Sequence, residues 1–404
     1  MSQISEMQGR TNGQMRSEQS TLFEGAPGKD GLGIIELLNP EGAQMTEEQQ
    51  VAGREFLRNG YGRIVVPARN EYQYGEIDSP FASVLRYAKS LTNPSSILVI
   101  DADSIDGTGK YAESQGIHTI RQGDIEQYFR MDNILQDFGI DRLPRGKGRT
   151  VLAFLAYDKI YRTMFAGGAD FNIFSDADIS NPDVFKHPEW LAWVLSQAKP
   201  GQEYAEVCAA QHGRNNQEVM GTLTALQNNS PVTKFYHSLV RGRIWPLTGQ
   251  YARRRDIMTA LPNALGYGTE ILYDLAICDL ATGSGFSRAQ VEIPDRCRDG
   301  ENTPTKEAAM MAGISAMLMT IDLYAFQEGH FLTSMPPYVY QNINRHLARI
   351  EEDFMVPAIQ EMPGPNNMIP ARLDRILPPV DYLVEQGYID TDGLARYVRS
   401  IYPN

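Results

Sequence analysis

Apolar residues in this chain follow two alternating patterns, short unbroken runs and longer stretches with apolar side chains three and four apart. Ile64-Val65-Val66 is a β-branched run closed by Pro67, the composition of a short strand buried on both faces. Residues 81–91 then carry apolar side chains at 81, 84, 85 and 88, one face of an amphipathic helix. Ile97-Leu98-Val99-Ile100 is the next run and delivers Asp101-Ala102-Asp103-Ser104 to its C-terminal end. Residues 107–114 can form a helix, and Ile117-His118-Thr119-Ile120 gives a third strand. A helical pattern over residues 150–165 precedes Phe171-Asn172-Ile173-Phe174, a strand that feeds Ser175-Asp176-Ala177-Asp178. Strands and helices alternating at these spacings predict a parallel sheet with helical crossovers, where ligands collect beyond the C-terminal strand ends.

Further along, the pattern predicts helices over residues 189–197, 231–240, 269–280 and 305–326, and strands over 205–209 and 288–293. From Pro336 onward the composition is mainly helical with proline-rich breaks. Residues 1–30 are rich in Ser, Gln, Gly and Glu without a period and read as a flexible leader, while residues 46–57 read as a helix. This divides the chain into a leader and small N-terminal addition (1–60), an α/β domain (61–210), a further part of the same domain (211–330) and a helical packing or dimerisation element (331–404).

Composition narrows the function. Over 404 residues, 42% hydrophobic and 22% charged side chains describe a chain able to bury a large core. The net charge of -13, with Arg253-Arg254-Arg255 as a short local cationic cluster, argues against a nucleic-acid partner. No apolar stretch approaches eighteen residues and the N-terminus has no basic-then-apolar signal, which predicts a cytoplasmic protein without integral membrane association. Cys208, Cys278 and Cys297 lack metal-like spacing and read as buried thiols. The six histidines are scattered without a His-x-x-His pair, and His118, in a strand-like run, reads as packed.

The chemistry gathers at the predicted strand ends. Asp176 and Asp178, two carboxylates one residue apart after a buried strand, suit Mg2+ or Mn2+, which take oxygen ligands and share them with a diphosphate. Asp101 is placed to accept from a nucleobase, whereas Asp106 and Thr108 read as a cap on the next helix. Arg145-Gly146-Lys147-Gly148 offers close approach and a cation for phosphate, without the spacing of a Walker loop. Pro67-Ala68-Arg69-Asn70-Glu71 frames the same space from the first strand. Glu270, at the start of a helix after a glycine-rich turn, is either a cap or a carboxylate facing sugar or acceptor hydroxyls.

Taken together these residues resemble the GT-A fold of nucleotide-sugar glycosyltransferases, doubly wound α/β, and within it the retaining glucosyl-3-phosphoglycerate synthase family. The resemblance rests on Pro67 to Glu71, on Asp101 to Thr108 ending in Asp-Gly-Thr, and on Arg145 to Gly148. It rests also on Pro246-Leu247-Thr248-Gly249-Gln250-Tyr251-Ala252-Arg253-Arg254 and Gly266-Tyr267-Gly268-Thr269-Glu270, so it runs over residues 62–325. It implies a uridine-type donor, Mg2+ or Mn2+, a small polar acceptor such as 3-phosphoglycerate or glycerate, and a homodimer. Pro67, Ala68, Asn70, Glu71, Asp101, Gly146, Lys147, Asp176 and Ala177 would bind the donor. Glu270, Asp178 and Arg254 would act in catalysis, and Thr233, His237, Gly249, Tyr267 and Gly268 would meet the acceptor.

Two departures from the family pattern stand out. Where the family carries a metal-binding His after the last strand, this chain reads Asp295-Arg296-Cys297-Arg298-Asp299-Gly300, so Asp299 or Asp295 takes that place or water does. Pro231 and Ser238 stand where the family's acceptor-phosphate arginines lie, leaving Thr233 with His237, Arg241 or Arg243 to supply the contact. Three other readings remain open at this level. They are an inverting transferase using Asp256 or Glu270 as base, a nucleotidyltransferase, and a non-catalytic sugar-nucleotide sensor.

Overall fold

The computed structural model describes residues 20–23, 35–38, 44–72, 78–144, 146–165, 169–198, 202–210, 249–284, 286–293, 304–355 and 373–402. In chain order its strands and helices begin with β1 (Ser20–Phe23), β2 (Ile35–Leu38), α1 (Glu47–Arg58), β3 (Gly62–Ala68), α2 (Pro80–Leu91) and β4 (Ile97–Asp101). They continue with α3 (Thr108–Ser114), β5 (His118–Arg121), α4 (Gln122–Glu126), α5 (Met131–Asp137), α6 (Lys147–Met164), β6 (Phe171–Phe174), α7 (Pro182–Phe185), α8 (His187–Ser196) and β7 (Tyr204–Ala210). The remainder comprises β8 (Tyr251–Arg254), α9 (Arg255–Thr259), β9 (Asn263–Ala264), α10 (Thr269–Ser284), β10 (Ser287–Glu292), α11 (Pro304–Ile321), α12 (Pro337–Ile350), β11 (Ile376–Leu377), α13 (Val380–Glu385) and α14 (Thr391–Ile401). The helix expected over residues 231–240 lies outside the described residues.

The strands β3, β4, β6, β7 and β10 point the same way in a nine-stranded sheet of order β1-β2-β10-β7-β8-β6-β3-β4-β5, with β8 antiparallel to both neighbours. This is a mixed, mostly parallel sheet flanked by helices, a GT-A-like core, followed by a mainly helical C-terminal region. Its strands are apolar on both faces because both are covered. Ile64, Val66, Ile97, Val99 and Ile173 face one layer with α1, α2 and α8, while Val65, Leu98, Ile100 and Phe174 face the other with α6, α10 and the C-terminal helices. Burying each of these side chains fully contributes about 1.5–3 kcal/mol.

Pro67 does not end β3, which runs on to Ala68. The β6 neighbour pairs only as far as Val65, so Pro67 has a partner strand on the β4 side alone and its missing N–H breaks no ladder on the other side. Residues 20–23, 35–38 and 44–60 hold more structure than their composition suggests. The strands β1 and β2 pair antiparallel and add to the sheet through a parallel β2–β10 contact. Helix α1 starts on a Thr46 and Gln49 capping box and docks on α8, where a Cβ at Gly53 would collide with the Glu189 carbonyl and Arg54 pairs with Glu189 at 2.5 Å.

The C-terminal residues fold back on the α/β unit. Strand β11 pairs antiparallel with β9, a small ladder in a region whose composition reads as helical. Asn344 of α12 bonds Ile376 in both directions at 2.9 and 2.7 Å, and Tyr157 of α6 donates to Tyr402 at 2.9 Å. Among the described residues no helix is long and apolar enough to cross a membrane.

Candidate donor site

The parallel ends of β3, β4 and β6 and the entry to β8 meet at one edge of the sheet, because Ala68 is paired with Asp101 and Phe174 with Tyr251. There the loops after β3 and β4 are tied to each other. The N–H groups of Asn70, Glu71 and Tyr72 donate to Ser104 Oγ, Thr108 Oγ1 and Asp106 Oδ2 at 2.9, 3.0 and 2.9 Å, and Ile105 N–H returns a bond to Asn70 Oδ1 at 3.0 Å. Asn70 and Asp103 both adopt φ of 55°, a left-handed conformation that Asn and Asp accept more readily than other side chains. Asp106 caps the following helix by accepting from Thr108 N–H at 3.0 Å.

A second pair of turns interlocks beside them. The N–H groups of Gly148 and Arg149 donate to the carbonyls of Gly266 and Leu265, both at 3.0 Å. A Cβ at Gly148 would overlap the Ala264 carbonyl, and one at Gly146 would stand 2.8 Å from Gly266 Cα. The glycines of both motifs are therefore contact surfaces between two backbones. From this joint Lys147 and Glu270 emerge side by side. The Lys147 ammonium lies 2.5 Å from Asp176 Oδ1 and 2.9 Å from Glu270 Oε1, with side-chain exposures of 18%, 27% and 15% that leave the trio reachable by a ligand. Burial works against the Lys147 charge, but Asp176 and Glu270 outweigh it and hold the pKa well above the ordinary lysine value.

Asp176 is fixed further by Gln250, whose Nε2 donates to Oδ2 at 2.8 Å, and by Gly249, where a Cβ would overlap the same oxygen. Ala177 and Ile179 are buried, which anchors the acidic turn in the core. Glu71 looks into the same space. Burial, then Asp178, Asp106 and Asp176, push its pKa up to about 7 against the opposing Arg69 amide, the mark of a carboxylate space short of positive charge. That oxygen-only set fits Mg2+ or Mn2+. Among the described residues no group of three or more His, Cys, Asp or Glu side chains forms a closed metal cage. Asp176 and Asp178, with Glu71 beside them, would hold the ion.

Comparison with known proteins gives this geometry a context. No family model matches the chain. A glucosyl-3-phosphoglycerate synthase of Petrotoga mobilis is 28% identical over 223 residues, covering 54% of this chain and 59% of the relative. One of Mycobacterium tuberculosis is 24% identical over 225 residues, covering 52% and 58%. The chain is homologous to these synthases. It spans less than two thirds of the length of the relatives it matches. A crystal structure of the M. tuberculosis synthase in complex with Mn2+ and uridine-diphosphate-glucose aligns over 72% of this chain and 86% of that chain, at 21% identity and a TM-score of 0.48.

Several residues expected from the synthase motifs lie elsewhere. Arg254 stands at the opposite end of β8, paired with Phe171 across the ladder, roughly 10 Å along the strand from Tyr251. Its guanidinium is held by Glu203 and Asp256, which removes it from the donor edge and removes Asp256 as a base there. Arg253 is buried against Glu206 and Asp274 with its guanidinium over the Tyr251 ring at 3.7 Å, so it braces the site from below. Asp101 is 3% exposed; its Oδ1 accepts the Ser104 N–H at 2.9 Å and its Oδ2 would meet a Cβ at Gly109 at 2.6 Å. It shapes the loop from inside. Gly268 donates its N–H to Asp374 at 2.6 Å, so that amide already has an acceptor within the protein, while Tyr267 is 39% exposed beside it. Arg145, Thr233, His237, Arg241, Arg243, Asp295 and Asp299 lie outside the described residues. Gln250 fills a variable position of the Pro246–Arg254 motif and Asp374 lies outside every motif, so the sequence pattern marks neither of them.

Proposed function

We propose that the chain is a metal-dependent retaining glycosyltransferase that moves a hexose, glucose by resemblance, from a nucleoside-diphosphate sugar to a small polar acceptor such as 3-phosphoglycerate or glycerate. The observation that carries this reading is the Lys147 ammonium between Asp176 and Glu270, three residues of separate motifs gathered at the C-terminal edge of the sheet. The names of the sequence relatives point the same way. A divalent ion at Asp176 and Asp178 would offset the charge that grows on the leaving diphosphate. Lys147 is placed to follow that charge, since its ammonium can turn from Asp176 toward a phosphate oxygen. In the transfer, the bond from the anomeric carbon to the diphosphate oxygen breaks and one to the acceptor hydroxyl forms, with the hydroxyl proton passing to the leaving phosphate. Glu270 then orients a hydroxyl by accepting its hydrogen bond. By resemblance, homodimerisation and a cytoplasmic location belong to the same reading.

An inverting mechanism keeps one specific observation in its favour: Glu270 is a partly open carboxylate across the ammonium from Asp176. A transfer screen with UDP-, GDP- and ADP-sugars in the presence of Mn2+ or Mg2+ separates the readings by product mass and anomer. The expected product keeps the donor's anomeric configuration. An inverted product would sink the retaining assignment, pyrophosphate release from a triphosphate would favour a nucleotidyltransferase, and donor binding without turnover a sensor. Asp178→Ala is expected to abolish metal-dependent donor binding and turnover, and wild-type levels of both in that variant would remove the metal assignment.

A further inference from the structure

Asp374 lies outside residues 62–325, over which the motif resemblance runs, yet it touches the joint from which Lys147 and Glu270 emerge. Its carboxylate accepts the Gly268 N–H at 2.6 Å and lies against the Gly266 backbone. A Cβ at Gly266 would overlap Asp374 Oδ1, and one at Gly268 would come within 2.5 Å of Oδ2 and 2.6 Å of Met317 Cε. The spacing Gly-x-Gly is thus the imprint of this side chain on the turn. The backbone next to Asp374 is equally engaged. Leu265 donates to the Arg375 carbonyl at 2.9 Å, and β11 pairs with β9 directly before the turn. Arg375 is locked in turn by Asp141 at 2.9 Å and Glu351 at 3.2 Å.

We propose that Asp374 is a positioning residue of the donor site: by accepting the Gly268 N–H and packing against Gly266 it holds the Gly266–Gly268 turn and so sets Glu270 against Lys147, and it does so from the C-terminal region of the chain. Burial raises its pKa to about 6, while the Gly268 and Gly266 backbone and Arg375 favour the charged form, so near neutral pH it is ionised. An apolar side chain there leaves the Gly268 N–H without an acceptor inside the protein, and an amide turns its NH2 against one of the two glycines, so the turn that starts α10 can then drift. Glu270 lies two residues beyond that turn, and Gly266 also accepts from the first turn of α6 next to Lys147. The catalytic meaning of the pair rests on the proposed transferase activity; its geometry does not.

The test uses the full chain and reads the pair without a substrate. At roughly pH 7.5, acylation of Lys147 by an amine-reactive ester is followed by peptide mass spectrometry. Losing the Glu270 contact frees the Lys147 amine from one of its two carboxylate partners, so labelling in Asp374→Asn is expected to be about tenfold faster than in the wild type. Gly268→Ala, which presses a methyl against Asp374 and Met317 and leaves the buried charge in place, is expected to act in the same direction and carries the test if Asp374→Asn does not fold. Asp158→Asn is the control for general loosening, because Asp158 holds Arg63 and Arg255 where β3 and β6 begin, at the other edge of the sheet. It should lower stability and leave Lys147 labelling unchanged. Wild-type labelling in Asp374→Asn, or equal acceleration in Asp158→Asn, overturns the inference. Faster labelling in Asp374→Asn with no transfer by the wild type would sink the proposed function and leave the positioning role standing.

Discussion

Lys147 shows how the protein uses a single charge. With carboxylates at 2.5 and 2.9 Å it offsets part of the charge of the acidic edge, and a ligand that brings its own phosphates would inherit that ammonium. His187 illustrates the opposite use of a titratable group. It is 1% exposed at the start of α8, and burial pushes its pKa down to about 3. The folded chain therefore holds this imidazole neutral, while the unfolded chain protonates it near pH 6.5. Its contribution is complete above that value and is lost as pH falls toward 3, on the order of 2 kcal/mol by pH 5. Urea unfolding midpoints measured between pH 7 and 5 should fall in the wild type, and His187→Leu should fall less steeply. Equal slopes in the two proteins would refute the assignment.

At the level of elements, the site depends on backbones meeting without side chains between them. Gly148 at the start of α6 faces the Ala264 carbonyl, and its N–H bonds Gly266 at 3.0 Å. Gly148→Ala must push α6 away from the turn that carries Glu270, at an expected cost of about 1–3 kcal/mol. The same change at Gly60, where the φ is 78° and a Cβ meets nothing, strains the backbone without moving the site. Thermal unfolding together with Lys147 labelling distinguishes them: both signals should change for Gly148→Ala, stability alone for Gly60→Ala. The pattern of apolar runs was sufficient to place the strands β3, β4 and β6, because side chains buried on two faces leave no alternative composition. It was silent on β1 and β2, whose apolar positions are broken by Ser20, Thr21 and Glu36, and on β11, which is two residues long.

For the whole molecule, the C-terminal region is part of the site's support. Residues 373–402 supply Asp374, the β11 ladder, and the Tyr402 hydroxyl that receives the Tyr157 hydrogen bond on α6. Val380, Leu383, Leu394 and Val398 are buried in the same core as α6 and α10. Deleting residues 373–404 exposes that face and removes the second anchor of the Gly266–Gly268 turn. The loss, more than about 5 kcal/mol, matches the net stability of a typical domain. The truncated chain should show no cooperative melt by circular dichroism, and a normal transition would mean the region is an appendage.

What the sequence determined by itself is the order of β3, β4, β5, β6, β7 and β10 with the longer helices among them and the list of acidic, glycine and lysine motifs, since apolar period and turn chemistry are local properties. It also carried the expectation that these motifs share one ligand, which their convergence at a single sheet edge supports. Only the tertiary structure decided which members of each motif face that edge. Arg254 and Asp101 fit their motifs as well as Lys147 does, yet strand direction carries Arg254 to the far end of β8 and loop closure turns Asp101 inward. Asp374, more than one hundred residues from the turn it holds, became visible only through the contact, because a bond between distant segments leaves no period in either one.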